Sequence, residues 1–433
     1  QGGGKICQVA NKVGYYVSLF NTAFSDLGSA IENLSEINGI DNPLLNKSTL
    51  TRNDYLVNGP NYKVTPFGSL GGAKKDRYFG KEAVMSDLNL LQERLVNDKQ
   101  IYDADFVWIV ASLGGGTASG SVTNMVRMTS GFIRSEDKRF AYRPATEVMD
   151  ELPGSPTVGV IALWPEESAS PKVKLNAAEA LQELEQLHDE NLLGNILLVD
   201  NQMLLDMAVE EGLDDWQSYC NSRIVQHLVE ASVLTNLNSE TSVDRAELME
   251  VITQPGYLNI TKNKHNSLDI KRKEGQKGID KEKCDKLAKS IVDKHHFTLP
   301  YSEEDALRTI FMSLTKVNHQ LLNITAFGVL QSAVAKHQNT AIVQHSGMYT
   351  TKSMSKASQG ISLNQLSTTQ SNVKLTNDKS AIFYYLCVYK QLPPDYIKYI
   401  HQAIEKRDEN TLLRAKKERT LSSLDVNSID QGN

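Results

Sequence analysis

Cysteine is scarce in this chain. Four residues, Cys7, Cys220, Cys284 and Cys387, are spread over 433 positions, none in a C-x-x-C pair or at a Cys/His ligand spacing. That excludes a disulfide framework and a zinc site of familiar spacing, and makes all four ordinary reduced thiols. Long apolar runs are missing too. The longest, such as AIFYYLCVY, fall well short of the roughly 20 residues that cross a bilayer. No basic-then-apolar leader opens the chain, so the expected location is the cytoplasm, with no membrane partner. Charge is nearly balanced at −6, which gives no global reason for nucleic-acid binding and leaves local segregation as the one electrostatic lead. The nine histidines contain no H-E-x-x-H, and His295 and His296 read as a surface-loop pair. What remains is a 40% apolar chain, long enough for two domains and a tail.

The first two hundred residues alternate short apolar runs with amphipathic ones. YYVSLFNT, FVWIVASL, TVGVIALW and NILLVDN read as strands with helical patterns between them. This is the α/β pattern of a mainly parallel sheet with helices on both faces, whose ligands sit at the carboxyl ends of the strands. A long apolar-periodic helix is expected from Asp214 to Asn238. An irregular second domain follows, ending near AIFYYLCVYKQLPPD, and then a basic helix beginning YIKYIHQAIEKR.

At the carboxyl end of its strand, FVWIVASLGGGTASGSVTNM breaks into three consecutive glycines. Glycine admits positive φ and lets backbone N–H groups approach a ligand with no Cβ in the way. With Thr117, Ser119 and a helix start immediately after, the stretch predicts an amide nest that suits a polyphosphate; a tight turn with no ligand is the plain alternative. Two familiar phosphate loops fail by spelling. No lysine with a following hydroxyl completes a Walker loop, and Ser119 stands where a dinucleotide fingerprint counted from Gly114 needs glycine.

The segment Gly114, Gly115, Gly116, Thr117, Ala118, Ser119, Gly120 resembles the G-G-G-T-G-[ST]-G signature of the tubulin/FtsZ superfamily, with Ala118 in place of the middle glycine. The order of further segments strengthens the likeness. QGGGKI is similar to the family's first phosphate loop, SLFNTAFSDL to its second strand and following segment, and GSLGGAKKDRYFGKEAV to the loop that senses the γ-phosphate. NILLVDNQML resembles the base-side strand and loop, and SYCNSRIV the start of the central helix. FVWIVASLGGGTASG, ILLVDN and ITQPGYL lean toward the plasmid and phage TubZ (RepX-like) branch.

The resemblance implies an α/β, tubulin/FtsZ-like fold: a GTP-binding domain over residues 1–213, a central helix over 214–238, a second α/β domain over 239–392 and a C-terminal helix with a basic tail over 393–433. It implies GTP or GDP with Mg2+ as cofactors, and GTP hydrolysis activated by assembly. Amides of Gly2, Gly3, Gly4 and of Gly114 to Thr117 would hold the phosphates, with Lys5 reaching one of them or simply solvated. Asn21 belongs to the segment after the second strand, and Gly71, Gly72, Ala73 and Lys74 to the γ-phosphate loop; Lys74 and Lys75 are otherwise two surface lysines in a turn. Asn201 lies on the base side. Asn221 offers donors and an acceptor to a guanine edge. The family's stacking ring falls at Gln217, so Trp216 or Tyr219 must replace it. Glu166 or Glu167 would stand in for the family's acidic sugar contact, which aligns with Ala169, unless both are solvated acids.

No base is evident in the nucleotide loops, and in this family it comes from the next subunit. TSVDRAELMEV matches the acidic part of that loop, with Asp244 and Glu247 as catalytic acids; spacing alone favours a helix capping box, and the resemblance reverses that preference. Such a shared site makes self-association head to tail and open-ended. The basic segment carrying Arg414, Lys416, Lys417 and Arg419 is, by the same resemblance, a contact for a DNA-bound adaptor of TubR type; no recognition motif supports direct sequence-specific DNA binding. The implied function is positioning or segregation of plasmid or phage DNA. Two other readings stay open: a dinucleotide-binding oxidoreductase, and a tubulin-fold scaffold without turnover.

Overall fold

The structure is a computed structural model that describes residues 2–45, 47, 49–69, 71–96, 98–134, 157–237, 239, 241–272, 278–316, 322–351, 375 and 379–409. In chain order its elements are α1 (Gly2–Lys12), β1 (Val17–Asn21), α2 (Phe24–Ile37), β2 (Val57–Asn58), β3 (Tyr62–Pro66), α3 (Arg77–Ser86), α4 (Leu88–Val96), α5 (Lys99–Tyr102), β4 (Val107–Ser112) and α6 (Gly116–Arg134). Then come β5 (Val158–Trp164), α7 (Pro171–Asp189), β6 (Asn195–Asp200), α8 (Asn201–Glu210), α9 (Trp216–Thr235), α10 (Arg245–Ile252) and β7 (Gly256–His265). The remainder is α11 (Lys281–Val292), β8 (Ala306–Thr315), α12 (Ile324–His337), β9 (Val343–Thr350), β10 (Ala381–Tyr389) and a helix over 394–409 (α13).

A seven-stranded sheet runs β4-β5-β6-β7-β10-β8-β9, and β1, β3 and β2 form a separate three-stranded sheet. In the seven-stranded sheet β4, β5 and β6 are parallel, as the βαβ alternation requires, and among the described strands of that sheet only β10 runs against its neighbours. The halves of the chain meet in this one sheet through a short ladder, Asn195 opposite Gly256 and Ile196 opposite Tyr257.

Every residue of β5, β6 and β10 is buried. Alternate side chains therefore feed two cores. Val160, Ala162, Phe383, Tyr385 and Cys387 face a core shared with α6, α7, α11, α12 and α13. Ile161, Leu163, Ile382, Tyr384 and Leu386 face one shared with α1, α8, α9 and α10. At the centre of the second, Glu230 of α9 is 1% exposed yet fully partnered. It accepts from Lys262 Nζ at 2.6 Å and Tyr384 OH at 2.7 Å, which ties the helix to β7 and β10.

The central helix is shorter than its apolar pattern predicts. Asp215 caps it by accepting from Ser218 N at 3.2 Å, and Asn236 closes it with its side chain on Ser232 O at 2.8 Å; Asn238 lies outside the described residues. His295 and His296 are not a surface pair. The His296 ring lies between Arg223 and Lys262 O, and burial pushes the two imidazoles down to about 4 and about 3 respectively. All four cysteines are free, with burial pushing the Cys7 and Cys387 thiols up to about 12 and Cys220 to about 11. Among the described residues no helix is long and apolar enough to cross a membrane.

Candidate nucleotide site and its distant acids

The three glycines after β4 serve close packing more than unusual dihedrals. None of Gly114, Gly115 and Gly116 has positive φ, contrary to the expectation from their number. A Cβ on Gly114 would meet Val173 Cγ1 at 2.5 Å, and one on Gly116 would meet Asp76 N at 2.5 Å. Gly115 differs, with nothing closer than Ser112 O at 3.6 Å, and its N–H donates to that carbonyl at 3.3 Å to close the turn. The amides that begin α6 follow directly, and the first N–H groups of a helix have no partner inside it.

Three further segments converge here. The end of β1 supplies Asn21, whose side-chain Oδ1 accepts from Thr22 N at 2.7 Å, and Thr22, whose hydroxyl lies 2.6 Å from that of Thr117. The 71–76 loop is pinned to the same strand end: Gly72 N donates to Thr22 O at 2.9 Å, and Ala23 and Gly71 form a bridge. Gly72, Lys74 and Lys75 all have positive φ, at 74°, 48° and 59°, costly for the two lysines and held by Asn176 Nδ2 on Lys75 O at 3.0 Å. Asp76 then caps α3. Ala73 is buried, and its Cβ would lie 2.8 Å from a Cβ on Gly116.

The N-terminal glycines are a helix start rather than the expected loop. Gly2, Gly3 and Gly4 form the first turn of α1, laid so closely on the sheet that a Cβ on Gly3 would meet Val110 O at 3.0 Å and one on Gly2 would meet Leu163 Cδ1 at 2.9 Å. Leu163 O accepts from Leu113 N, so this turn lies beside the glycine loop. Lys5 Nζ donates to Gln217 Oε1 at 3.2 Å, joining the start of α1 to the start of α9. Beside that link, hydrogen bonds from Ser218 and the Lys5 charge hold Asp215 below the usual carboxylate range.

On the other side of α9's start, Glu167 is exposed and its N–H donates to Gln202 Oε1 at 3.1 Å. Asn201 opens α8. Burial raises the neighbouring Asp200, although Tyr396 OH of α13 and the first amides of α8 bond to it.

The acids of the TSVDRAELMEV segment are elsewhere. Asp244 and Glu247 form the capping box of α10, each side chain accepting from the other's backbone N–H at 2.8 Å. Between the start of α9, beside Lys5, and the turn leading to α10 lie 20 helical residues, about 30 Å of helix. The contacts of α10 confirm the opposite pole. Arg245 pairs with Asp105, ahead of β4, and Gly194, ahead of β6, lies against Ile252 O.

No protein-family model matches the chain. Over 216 residues it is 26% identical to the Tubulin-like protein TubZ of Bacillus cereus, a match spanning 48% of this chain and 44% of that one, so less than half the length of the curated relative is covered. A GTPγS-form protofilament of Bacillus thuringiensis serovar israelensis TubZ superposes with a TM-score of 0.61 at 15% identity, over 95% of this chain and 92% of the other. The GTPγS-bound protofilament of CetZ2 from Haloferax volcanii gives 0.60 at 16%, over 95% and 97%. The fold is tubulin/FtsZ-like.

Within this tubulin-like fold, several side chains differ from their expected posture. Ser119 is fully buried and its hydroxyl turns back to Gly115 O, so it does not face outward as a donor. Ala118 packs toward the first core. Tyr219 lies two residues from Gln217, about 200° round the helix, and its hydroxyl accepts from Arg223 at 3.0 Å. Trp216 is half-buried against the second core. Gln217 and half-buried Asn221 are one helical turn apart and share the face that Lys5 marks. Arg414, Lys416, Lys417 and Arg419 lie outside the described residues.

Sequence reasoning missed Arg77. Its guanidinium, 4% exposed, bonds Ser119 O at 3.2 Å, Glu179 at 3.3 Å and Glu183 at 2.8 Å. Glu179 in turn holds Arg407 of α13 at 2.7 Å. One arginine so clamps the 71–76 loop, α6 and α7 together, and nothing in its local sequence signals a buried charge.

Proposed function

We propose that this chain binds GTP, polymerises head to tail and hydrolyses GTP at the contact between subunits. The observation that carries the reading is the separation of its two half-sites. Phosphate-binding amides and acids stand at opposite poles of α9, a helix of 20 residues, so one copy's acids reach only another copy's nucleotide. Similarity to protofilament structures supports the same assembly.

In this arrangement the first turns of α1 and α6 hold the phosphates, and Gly71, with no atom within 4 Å of an added Cβ, leaves room at the 71–76 loop. Lys74 neutralises the terminal phosphate, Asn221 reads the base edge, and Glu167 and Asn201 line the sugar and base side. Mg2+ neutralises charge on the phosphates. Asp244 and Glu247 of the next subunit polarise the attacking water. Loss of the γ-phosphate relaxes the 71–76 loop, whose two left-handed lysines need support, and loosens the contact.

TubZ and CetZ superpose almost equally well. A role in positioning plasmid or phage DNA therefore rests on the sequence match to TubZ, with the basic segment carrying Arg414 to Arg419 as the surface for a DNA-bound adaptor. The oxidoreductase alternative finds no support in a tubulin-like fold.

Phosphate release measured against protein concentration tests the proposal. The rate per subunit should be near zero below a critical concentration and rise steeply above it, with filaments visible by electron microscopy. A concentration-independent rate contradicts the shared site, and filaments without phosphate release make the chain a scaffold.

Gln217 offers a second test. A ring on its face would lie against the base, and base–aromatic stacking contributes about 1–3 kcal/mol. Gln217→Tyr should tighten GDP binding by about tenfold in a fluorescence titration, whereas unchanged or weaker binding places the base elsewhere.

A further inference from the structure

The capping box leaves one oxygen of Glu247 uncommitted to the backbone, and a histidine takes it. Glu247 Oε2 accepts from Asp244 N, while Oε1 lies 3.0 Å from Nδ1 of His345. The other nitrogen of the same ring, Nε2, lies 3.0 Å from Oε2 of Glu250, one turn further along α10. Arg308 of β8 pairs with the remaining oxygen of Glu250. His345 stands on β9 opposite Ile310 of β8, with a side chain only 17% exposed. The charged groups facing its ring are thus Glu247 and Glu250 from α10, with Arg308 behind Glu250; Asp244 is reached through Glu247.

A neutral imidazole carries one N–H, and two carboxylates each require one. Only the imidazolium satisfies both contacts. Without the second proton a ring lone pair faces a carboxylate, and the single N–H is shared between Glu247 and Glu250 in competition.

We propose that His345 is a positioning residue that holds Glu247, and through it the Asp244 turn, in the posture used against the next subunit's nucleotide, so that filament-coupled GTP hydrolysis depends on the proton carried by His345. The inference rests on the shared-site reading above. It adds that turnover falls several-fold once the ring gives up its second proton, while the filament itself persists.

The test compares wild type, His345→Gln, Glu250→Gln and Asp244→Ala well above the critical concentration, with phosphate release and sedimentable polymer followed across a pH series. His345→Gln should assemble, turn over about tenfold more slowly and lose the pH dependence. In Glu250→Gln the amide at 250 can donate to Nε2, so a neutral ring keeps its Nδ1–H on Glu247. Its turnover should stay near the wild-type low-pH value across the range. A merely structural role for His345 predicts neither the flat profile nor this retention. Wild-type turnover and pH profile in assembled His345→Gln overturn the proposal. If that variant fails to assemble, Glu250→Gln decides, and a wild-type pH slope there overturns it equally. Full turnover by Asp244→Ala overturns the shared-site reading itself, a separate failure.

Discussion

Asp244→Ala should leave GTP binding and polymer formation in place and slow phosphate release from filaments by about a hundredfold or more, the scale at which a general base contributes. Asp244 stands at the pole of α9 opposite the glycine loops, so its loss should not disturb nucleotide held by the same subunit. The residue also caps α10, and removing a cap costs about 0.5–2 kcal/mol. That structural cost can be separated. Val243 is fastened independently, its N–H donating to Tyr349 OH at 2.8 Å and its carbonyl accepting from that hydroxyl at 3.0 Å. Asn is as good a cap as Asp but carries no negative charge. Asp244→Asn should therefore keep the melting temperature of wild type and lose turnover as alanine does. Wild-type hydrolysis in assembled Asp244→Asn would leave Asp244 a cap and nothing more.

Gly120→Ala should destabilise the fold and weaken nucleotide binding together. A Cβ there would lie 2.1 Å from Arg77 O and 2.8 Å from Lys81 N, both backbone atoms with no rotamer to escape into. The crossing is reciprocal, since a Cβ on Gly80 would lie 2.3 Å from Gly116 O. Helices α3 and α6 thus touch backbone to backbone, and forcing extra volume into such packing costs about 1–3 kcal/mol or more. The displaced α3 carries the 71–76 loop at its N-terminus and Arg77 at its first residue, so the phosphate cradle opens as the ion-pair clamp loosens. Gly115→Ala is the contrast. It meets only ordinary contact and no positive φ, so thermal unfolding should match wild type while GTP binding suffers from a methyl group in the cradle. Equal melting temperatures for Gly120→Ala and wild type would remove steric packing as the reason for that glycine.

Some of this was legible in order along the chain. The strands over 107–112, 158–164 and 195–200 fall inside the apolar runs that announce them; the last two are buried on both faces, and such a strand must be largely apolar throughout. The glycine segment was legible as a strand-to-helix turn, and the box of Asp244 and Glu247 as a cap, because capping is a contact between residues three apart. The purpose of each glycine was not legible. Room for a ligand and room for a neighbouring helix look identical in sequence, and only the approach of α3 to α6 tells Gly115 from Gly116 and Gly120.

By itself, then, the sequence determined the α/β layering, the glycine turn at the end of β4 and the capping box of Asp244 and Glu247, since periodicity and capping are set by near neighbours. Tertiary structure alone decided that Tyr219 turns to Arg223 while Gln217 meets Lys5, that Arg77 joins α3, α6 and α7, that His296 is buried, and that His345 bridges Glu247 and Glu250. His345 lies 98 residues beyond Glu247, by subtraction of their positions in the chain. Contacts at that separation are set by which faces of helix and sheet pack together, which no local pattern encodes.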